Sequence, residues 1–370
     1  MAHFCSIVPP HVLKHIVNSP LTIPPTLVAA QKTYDHICRL HDKRVQGDYI
    51  HDQESQGFAA EARTTTHHVY RKIYTSAGTN EMKKKLVFDE RARIPFETMD
   101  WDAKNVYDYF EKTYEFYNEV FNRNSIDDRG LHMIGSIHYD DQPGPPGYNN
   151  AFWNGREMGF GDGDGDLFTN FTDNIDIIGH ELTHGVVQLT ADLEYYFQSG
   201  ALNESISDVF GSMIKQYHSE TLAKDADWLI GEGIFHPSVD NSPALRSMKS
   251  PGCAYDNPKI GRDPQPATMD GYQDLQKEDD GGGVHINSGI PNHAFYLASV
   301  ALGGYSWEKA GKIWYAALTD RALRSVDSKD AFKVFADLTV KHAGAFDKDT
   351  QEKVRKAWID VKVLDGKDEL

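Results

Sequence analysis

Two histidines and a glutamate lie close together in the segment His180-Glu181-Leu182-Thr183-His184. On a helix, residues four positions apart lie on the same face, so both imidazoles could reach one metal ion. A catalytic zinc ion takes three protein ligands and keeps one position open for water. Glu181, next to the first histidine, is positioned to take a proton from that water. The segment therefore predicts a zinc-dependent hydrolase, provided that the chain supplies a third ligand.

The third ligand is predicted in the segment 200–208, which has helical periodicity and contains Glu204. Two antiparallel helices joined by a loop around Tyr195 would bring Glu204 to the two histidines. Asp208 lies one helical turn further along the same face, where it can accept the second N–H of a ligating histidine. The alternative, in which both carboxylates lie on a solvated helix face, is disfavoured by the presence of His180 and His184.

A third histidine follows three glycines in the segment 279–289. Glycine allows the backbone to approach a substrate closely, and Asp280 could hydrogen-bond His285 and keep it protonated. A protonated His285 would then donate a hydrogen bond to a developing oxyanion. Taken alone, such a histidine would more often be an ordinary residue of a surface loop.

These candidate residues lie near the point where a strand-rich half of the sequence is followed by a helical half. Short β-type runs at 66–74, 85–88 and 131–138 accompany one long amphipathic helix at 103–121. From residue 175 onward the pattern predicts helices at 175–190, 201–218, 287–303, 306–325, 328–342 and 348–359. The metal-binding helix is therefore expected at the junction of the two halves.

The first 55 residues are predicted to be separate from the rest. Pro9-Pro10 and Pro24-Pro25 precede stretches that can be helical, 11–17 and 26–40, because proline is favoured in the first turn. The polar stretch 45–57 then indicates an exposed linker, which proteases could cut.

Composition limits the class of protein and its partners. A chain of 370 residues with 40% hydrophobic residues is globular and can hold two domains. The net charge of −17 argues against nucleic acid or an anionic membrane as a partner. No apolar run reaches the roughly 18 residues of a membrane-spanning helix. The three cysteines are too few and too scattered for a disulfide framework or a cysteine-rich zinc site.

The motifs together resemble the thermolysin family of zinc metallopeptidases, known as M4, from about Arg71 to the C-terminus. The resemblance is carried, in the family's order, by NNAFWNG at 149–155, HELTH at 180–184, GALNESISD at 200–208, LRSM at 245–248 and GGVHINSGIPNHAFY at 282–296. It implies an α+β two-domain zincin fold, with a strand-rich N-terminal domain, a helical C-terminal domain and the active-site helix at their junction. The segment PPHVL at 9–13 resembles the short propeptide of the protealysin-type branch.

The resemblance implies a role for each candidate catalytic residue. The implied zinc ligands are His180, His184 and Glu204. Glu181 would be the general base toward the water at the metal and would pass the proton to the leaving amine. Tyr195 and His285 would donate hydrogen bonds to the tetrahedral oxyanion, each worth about 2.7–4 kcal/mol. Asp280 would orient His285, and Asp208 would orient a zinc ligand.

The resemblance also implies how a peptide substrate is held. The residues implied to hold its backbone are Asn150, Ala151 and Arg246, the last as a forked donor to a carbonyl. The residues aligned with the pocket after the scissile bond are all apolar: Phe168, Phe171, Ile177, Ile230, Ile234 and Leu245. Such a pocket implies cleavage on the N-terminal side of bulky hydrophobic residues, with modest discrimination because one methylene is worth only about 1–3 kcal/mol.

The chain departs from its family at the double calcium site. Three acidic ligands are matched by Asp176, Asp227 and Glu232, but Lys215 and Leu229 replace two others. A lysine ammonium cannot bind calcium, and it adds a positive charge to a cluster of negative ones. We therefore expect Lys215 to replace the calcium ion by pairing with Asp176 and its neighbours.

Cys5 precedes the first proline pair and has two interpretations. In a proenzyme, a thiolate from the propeptide could fill the open position of the zinc ion and exclude water. The alternative is a cysteine that is simply buried or lies at the surface.

The sequence thus predicts a zinc endopeptidase made as a proenzyme, with a propeptide-like segment 1–55 removed somewhere between about residues 45 and 65. The remaining domains are predicted at 56–190, including the HELTH helix, and at 191–370. The alternatives are a catalytically silent zincin that acts by binding and a structural zinc site, which would usually have four protein ligands.

The predicted partners are peptide or protein substrates and a possible proteinaceous inhibitor. The compartment is predicted as extracellular, reached without a standard signal peptide, with the cytoplasm as the alternative. The last four residues, 367–370, match an endoplasmic-reticulum retention address, which has no use without an entry signal. A solvated charged terminus is therefore the preferred interpretation.

Overall fold

A computed structural model describes residues 5–46, 69–91, 99–145 and 147–366 of the chain. The predicted linker at 45–57 and the predicted cleavage region lie outside these ranges, except that residues 45 and 46 still belong to a helix.

The N-terminal segment forms one short strand and two helices. They are β1 (Cys5–Ser6), α1 (Pro10–Asn18) and α2 (Pro24–Gln46). Both helices begin at a proline, which has no N–H that the first turn would leave unpaired. The predicted helices are confirmed, although α2 runs six residues beyond the expected end at residue 40. This segment contacts the rest of the chain, since β1 joins the main sheet.

The N-terminal half is built on a six-stranded mixed sheet with the order β1-β5-β6-β4-β2-β3. Its further strands are β2 (Arg71–Thr79), β3 (Lys85–Asp89), β4 (Met133–Tyr139), β5 (Ala151–Trp153) and β6 (Met158–Phe160). The long helix α3 (Trp101–Phe121) packs on this sheet, and Asp100 caps its first turn by accepting a hydrogen bond from the N–H of Ala103. Gly135 in β4 allows that packing, because a Cβ there would lie 3.1 Å from the side chains of Phe110 and Val106.

The C-terminal half is helical. Its helices are α4 (Ile175–Thr190), α5 (Phe197–His218), α6 (Asp280–Asn287), α7 (Gly289–Leu302), α8 (Ala310–Thr319), α9 (Ala331–Ala343) and α10 (Lys348–Asp360). Short 3₁₀ turns lie at Met269–Gly271 and Arg321–Ser325. Two-residue strands pair as β7 (Leu229–Ile230) with β8 (Arg246–Ser247), and as β9 (Asp256–Asn257) with β10 (Gly261–Arg262).

These helices confirm the predicted pattern with three differences in detail. Helix α5 begins four residues earlier than expected. The range 306–325 is divided between α8 and a 3₁₀ turn, and the segment before 289 is a separate short helix, α6. None of the helices in the described ranges is long and apolar enough to cross a membrane.

Helices α4 and α5 lie unusually close together because glycine faces the contact from each side. A Cβ on Gly211 of α5 would lie 2.5 Å from the carbonyl oxygen of Asp176 in α4. A Cβ on Gly179 of α4 would lie 2.7 Å from the side chain of Ile214. Buried polar side chains from α4 and from α5 can therefore meet at one point.

Candidate active site

Helix α4 directs its two histidines at the same point. The Nε2 atoms of His180 and His184 lie 2.9 Å apart, and both side chains are buried. The Nδ1 atom of His184 lies 2.8 Å from the amide oxygen of Asn203, and Nδ1 of His180 lies 2.8 Å from a carboxylate oxygen of Asp208. Each Nδ1 thus lies near an acceptor from α5, and the two Nε2 atoms face each other. A cation between the two Nε2 atoms would satisfy both of their lone pairs.

Glu204 of α5 completes this convergence. Its carboxylate oxygens lie 3.5 Å from Nε2 of His180 and 3.4 Å from Nε2 of His184. The oxygen Oε2 is buried and has no hydrogen-bond partner among the described residues. A buried carboxylate oxygen without a donor is costly unless a cation satisfies it. Donor atoms 2.9–3.5 Å apart suit ligands that each lie about 2 Å from one zinc ion. The three side chains thus fit zinc.

A buried ion pair lies behind the first histidine. Both oxygens of Asp208 accept hydrogen bonds of 2.8 Å from the fork of Arg246, and Oδ2 accepts another of 2.8 Å from Asn292. Burial alone would raise the pKa of Asp208, but the charge of Arg246 and the hydrogen bond to His180 outweigh it. The pKa of this carboxyl is therefore held well below its usual range. Asp208 remains an anion that fixes the tautomer of His180.

Glu181 lies beside the histidines and faces the edge of the sheet. Its side chain is buried, and Oε2 accepts a hydrogen bond of 2.9 Å from the backbone N–H of Trp153 in β5. This bond fixes the carboxylate between the active-site helix and the strand along which an extended peptide could pair.

Three consecutive glycines interrupt the helical geometry in the first turn of α6, the element that carries His285. Gly281, Gly282 and Gly283 have φ values of 62°, 86° and 81°, a left-handed region that glycine adopts without steric cost. The turn lets Asp280 approach Nδ1 of His285 to 2.5 Å and accept the backbone N–H of the same residue at 3.0 Å. Burial disfavours the imidazolium, yet the charges of Asp280 and Glu204 raise the pKa of His285 to about 9. The predicted pairing of these two residues is present.

Tyr195 lies on the same side of the site as His285. Its hydroxyl donates a hydrogen bond to Oε1 of Glu204 and lies 3.4 Å from Nε2 of His285. Two polar groups thus converge opposite the two zinc-facing histidines.

The N-terminal segment occupies the cleft between these groups and the sheet edge. The backbone N–H of Ile7 donates to the carbonyl of Ala151 at 3.1 Å, and that of Val8 donates to Oδ1 of Asn150 at 2.9 Å. Arg246 donates from Nη1 to the carbonyl of Ile7 at 3.1 Å. Arg246 was expected to offer its fork to a carbonyl, but here its Nε and Nη2 are held by the carboxylate of Asp208, and the contact with Ile7 is made from Nη1.

Comparison with known proteins agrees with this geometry. Residues 29–188 match the thermolysin metallopeptidase catalytic domain, and residues 191–363 match the thermolysin metallopeptidase alpha-helical domain. Protease PrtS of Photorhabdus sp. (strain Az29) is 48% identical over 79% of this chain and 76% of its own. An extracellular metalloprotease of Pectobacterium carotovorum is 41% identical over 97% of this chain and 96% of its own. A solved precursor of protealysin from Serratia proteamaculans superposes with a TM-score of 0.83 at 42% identity, covering 97% of this chain and 100% of that one.

The chain belongs to the thermolysin family of metallopeptidases. Members of this family are zinc-dependent and act on peptides or proteins, so the predicted enzyme class, metal and type of substrate are confirmed. The predicted two-domain fold is confirmed as well.

The six residues aligned with the thermolysin family's apolar pocket are all buried in one cluster, which also contains Ile7 of the N-terminal segment. The backbone N–H of Leu245 donates to the carbonyl of Ile230 at 3.0 Å, which joins the segments that carry these two residues. Gly231, at φ 66°, keeps its position free of a side chain, because a Cβ there would lie 3.2 Å from Leu245 and 3.4 Å from Ile177.

Where the family resemblance implies a calcium site, the ammonium of Lys215 lies 2.7 Å from Asp227 and 3.1 Å from Glu232. Asp176 is buried behind them and accepts hydrogen bonds from the backbone N–H groups of Ile177 and Gly231. Burial disfavours the ammonium, but the charge of Asp176 and the two hydrogen-bonded carboxylates raise the pKa of Lys215. The contacts of Lys215 are with the outer two carboxylates, and Asp176 acts on it through charge.

Sequence reasoning missed two kinds of residue. Asn203 contacts His184, and Asn292 donates to Asp208. Both lie inside the quoted motifs, but the sequence predicted no role for either residue. The strand β1 was missed because two residues are too short for any periodicity. The apolar pair Ile7-Val8 next to two prolines was the available signal for an extended segment.

Proposed function

We propose that this chain is the latent form of a zinc endopeptidase that cleaves peptide bonds on the N-terminal side of bulky hydrophobic residues. The observation that carries the proposal is the segment 6–8, which continues from β1 and whose backbone makes hydrogen bonds with His285, Arg246, Ala151 and Asn150. These are the residues assigned by family resemblance to substrate and oxyanion binding.

Each residue has a role in the proposed reaction. His180, His184 and Glu204 hold the zinc ion, which when bound supplies Lewis acidity toward water and the substrate carbonyl. Glu181 accepts the proton of the attacking water and passes it to the leaving amine. Its buried position beside β5 keeps that carboxylate close to a peptide paired with the strand.

His285 and Tyr195 donate hydrogen bonds to the oxygen on which charge develops. Asp280 supports this role by keeping His285 in the imidazolium form, and Asp208 orients His180. Asn150 and Ala151 align the substrate backbone with β5, and Arg246 donates from Nη1 to a substrate carbonyl.

The apolar pocket accounts for the proposed specificity. The residues proposed to line it are Phe168, Phe171, Ile177, Ile230, Ile234 and Leu245. Their side chains offer no hydrogen-bonding group, so a charged substrate side chain would be desolvated without compensation. The buried Ile7 of the N-terminal segment is the type of side chain that such a pocket accepts.

The N-terminal segment is proposed to be a propeptide that blocks the cleft. In addition to the contacts of segment 6–8, a buried ion pair of 2.8 Å between Lys32 and Asp140 holds α2 against the rest of the chain. A hydrogen bond of 2.6 Å joins His36 to the hydroxyl of Tyr148. The proposed units are 1–55, 56–190 and 191–370, with removal of the first unit by a cut between about residues 45 and 65.

Lys215 is proposed to replace the calcium ion of the thermolysin family's double site. Its ammonium offers donors to Asp227 and Glu232 and offsets the charge of Asp176. Leu229, at a second ligand position, removes a further carboxylate. Calcium is therefore proposed to be absent from this site.

We further propose that the enzyme acts outside the cell, since the names of two relatives describe them as extracellular. A proteinaceous inhibitor remains a prediction of the sequence, as does the absence of a nucleic-acid partner.

The activity is tested with quenched peptides that differ only in the residue after the scissile bond. The processed enzyme should cleave before Leu, Ile or Phe, lose activity with a zinc chelator and regain it with added zinc. Glu181→Gln should lower kcat by about 10²–10⁴-fold, because it removes the general base. Exposed Glu352→Gln serves as the matched control. A silent zincin would bind zinc and the peptides without cutting them.

A further inference from the structure

The strand β1 lies along the active-site edge of the sheet in the manner of a bound peptide. It pairs antiparallel with β5, so that Cys5 lies opposite Trp153 and Ser6 opposite Phe152. Edge strands with unpaired N–H and C=O groups accept an extended peptide in this way. The position of each residue along β5 is therefore fixed by backbone hydrogen bonds.

These bonds also fix which peptide bond faces the catalytic groups. Nε2 of His285 lies 3.0 Å from the carbonyl oxygen of Ser6. The next carbonyl, that of Ile7, accepts from Arg246, and the N–H of Val8 donates to Asn150. Since His285 is the proposed oxyanion donor, the Ser6–Ile7 bond occupies the position of the bond to be cut. An apolar side chain follows it, as the proposed specificity requires.

A segment bound in this register would be cut unless the water is excluded. The thiol of Cys5, one residue before Ser6, is 1% exposed and lies in the interior of the site. Its Sγ, a ring nitrogen of His184 and a carboxylate oxygen of Glu204 all lie within 4.8 Å of one another. His180, whose Nε2 is 2.9 Å from Nε2 of His184, lies next to this group. A closed tetrahedral zinc site takes sulfur, nitrogen and oxygen donors, so the thiol of Cys5 is a candidate for the position that water would otherwise hold.

We propose that Cys5 is the fourth ligand of the zinc ion in the latent protein. On coordination the S–H bond breaks, its proton passes to solvent, the sulfur–metal bond forms and the water leaves. On activation the reverse exchange restores the water. The Ser6–Ile7 bond thus stays intact while it lies in the substrate position. The inference rests on the proposed function, in which His180, His184 and Glu204 hold the metal.

Packing alone is the competing account of Cys5. The residue belongs to a small apolar cluster with Tyr195 and Val284, and a buried cysteine often serves only as a small hydrophobe. Cys38 of α2 offers a matched control, because it lines the same cavity of about 450 Å³ as Cys5. It is absent from the group of converging metal donors among the described residues.

The test uses the full-length chain with Glu181→Gln, which prevents self-cleavage, and with cobalt in place of zinc. A sulfur-to-cobalt charge-transfer band in the near ultraviolet is expected. The band should be lost when Cys5→Ala is added and retained when Cys38→Ala is added. Visible cobalt bands without the charge-transfer band would overturn the role of Cys5 while supporting the metal site. Failure of the chain to bind cobalt at all would instead contradict the proposed function.

A second measurement does not depend on cobalt. With Glu181 intact, zinc-loaded Cys5→Ala should be cut between Ser6 and Ile7, so that mass spectrometry detects a new N-terminus at Ile7. Cys5→Ser should behave in the same way, and Cys38→Ala should keep this bond whole. If zinc-loaded, folded Cys5→Ala and Cys5→Ser both retain the Ser6–Ile7 bond, the thiol is not what protects it.

Discussion

Oδ1 of Asp208 lies 2.8 Å from Nδ1 of His180, and both side chains are inaccessible to solvent. The contact joins α4 to α5 and directs the lone pair of Nε2 toward the other zinc-facing groups. Because the same carboxylate is held by the fork of Arg246, its charge remains in place without water. Asp208, which contacts the proposed zinc ligand His180, thus also holds the arginine that contacts the N-terminal segment.

Asp208→Asn should lower zinc affinity by about 10–100-fold, because loss of a partner behind a ligating histidine weakens binding by that factor. The amide keeps the shape but not the charge that balances Arg246. Competition with a chromophoric chelator measures the affinity. Exposed Asp337→Asn is the control, and equal zinc affinity in both variants would contradict the orienting role.

Asn150→Ala should weaken the binding of the proposed propeptide and the binding of the substrate by the same factor, because one amide is proposed to hold the backbone of both. Loss of hydrogen bonding worth about 0.5–1.5 kcal/mol corresponds to roughly 2- to 12-fold. The measurements are KM of the processed enzyme and the inhibition constant of a synthetic peptide of residues 5–46. A peptide N-methylated at Val8 loses the bond to Oδ1 of Asn150 but can keep the longer one, of 3.4 Å, from Nδ2 to its own carbonyl, so the difference between wild type and variant should shrink for this peptide. Unequal effects on KM and inhibition would argue against a shared binding register.

Local periodicity made much of this site predictable. The i, i+4 spacing of His180 and His184, and the same spacing of Glu204 and Asp208, follows from helix geometry alone. The glycine run before His285 likewise indicated a tight turn with close backbone approach. Such features depend on residues that are close in sequence, so they can be predicted without knowledge of the tertiary packing.

The remaining features depend on contacts between distant parts of the chain. Nothing near Arg246 in the sequence reveals that its fork is taken by Asp208, 38 residues away. The pairing of Cys5 with Trp153 requires knowledge of which sheet edge is open, and no propensity encodes this. Long-range pairing therefore decided the points that the sequence left open.

Lys215→Met should lower the free energy of unfolding by about 1–2 kcal/mol, since it leaves three carboxylates without their cation. The side chain of Lys215 is only 25% exposed, so solvent screens the interaction incompletely. Exposed Lys224→Met, close by in the sequence, should change stability little. A calcium chelator that leaves zinc bound should not alter the melting temperature of the wild type. A large decrease would mean that calcium, not lysine, stabilises this region.

Asp280→Asn should move the alkaline limb of kcat to lower pH. The acidic charges at His285 raise its pKa to about 9, and the residue acts as a donor while protonated, so activity is lost as pH rises through that pKa. Removing the charge of Asp280 lowers the pKa. At neutral pH the loss of kcat should be smaller than the roughly 10²–10³-fold expected for loss of an oxyanion donor. Exposed Asp279→Asn is the control, and an unmoved alkaline limb would separate His285 from the reaction.

Acid should loosen the propeptide through His11. This residue of α1 contacts the hydroxyl of Tyr255 at 2.9 Å, and its Nδ1 is buried without a hydrogen-bond partner among the described residues. Burial lowers the pKa of His11 to about 4, from about 6.5 in an undocked chain. Docking therefore favours the neutral ring, so its contribution is fully present above pH 6.5 and is lost as pH falls toward 4. At pH 5 docking should be weaker by on the order of tenfold.

Hydrogen exchange of the α1 amides in the zinc-loaded, full-length Glu181→Gln protein measures this effect, after correction for the intrinsic rate at each pH. In His11→Gln the side chain stays neutral and can still bond Tyr255, so protection should differ much less between pH 7 and pH 5. Zinc content at both pH values separates the effect from protonation of the zinc-facing histidines. If the protein with His11 and the His11→Gln variant lose the same protection, the acid response belongs to other groups, because the variant has no titrating ring at position 11.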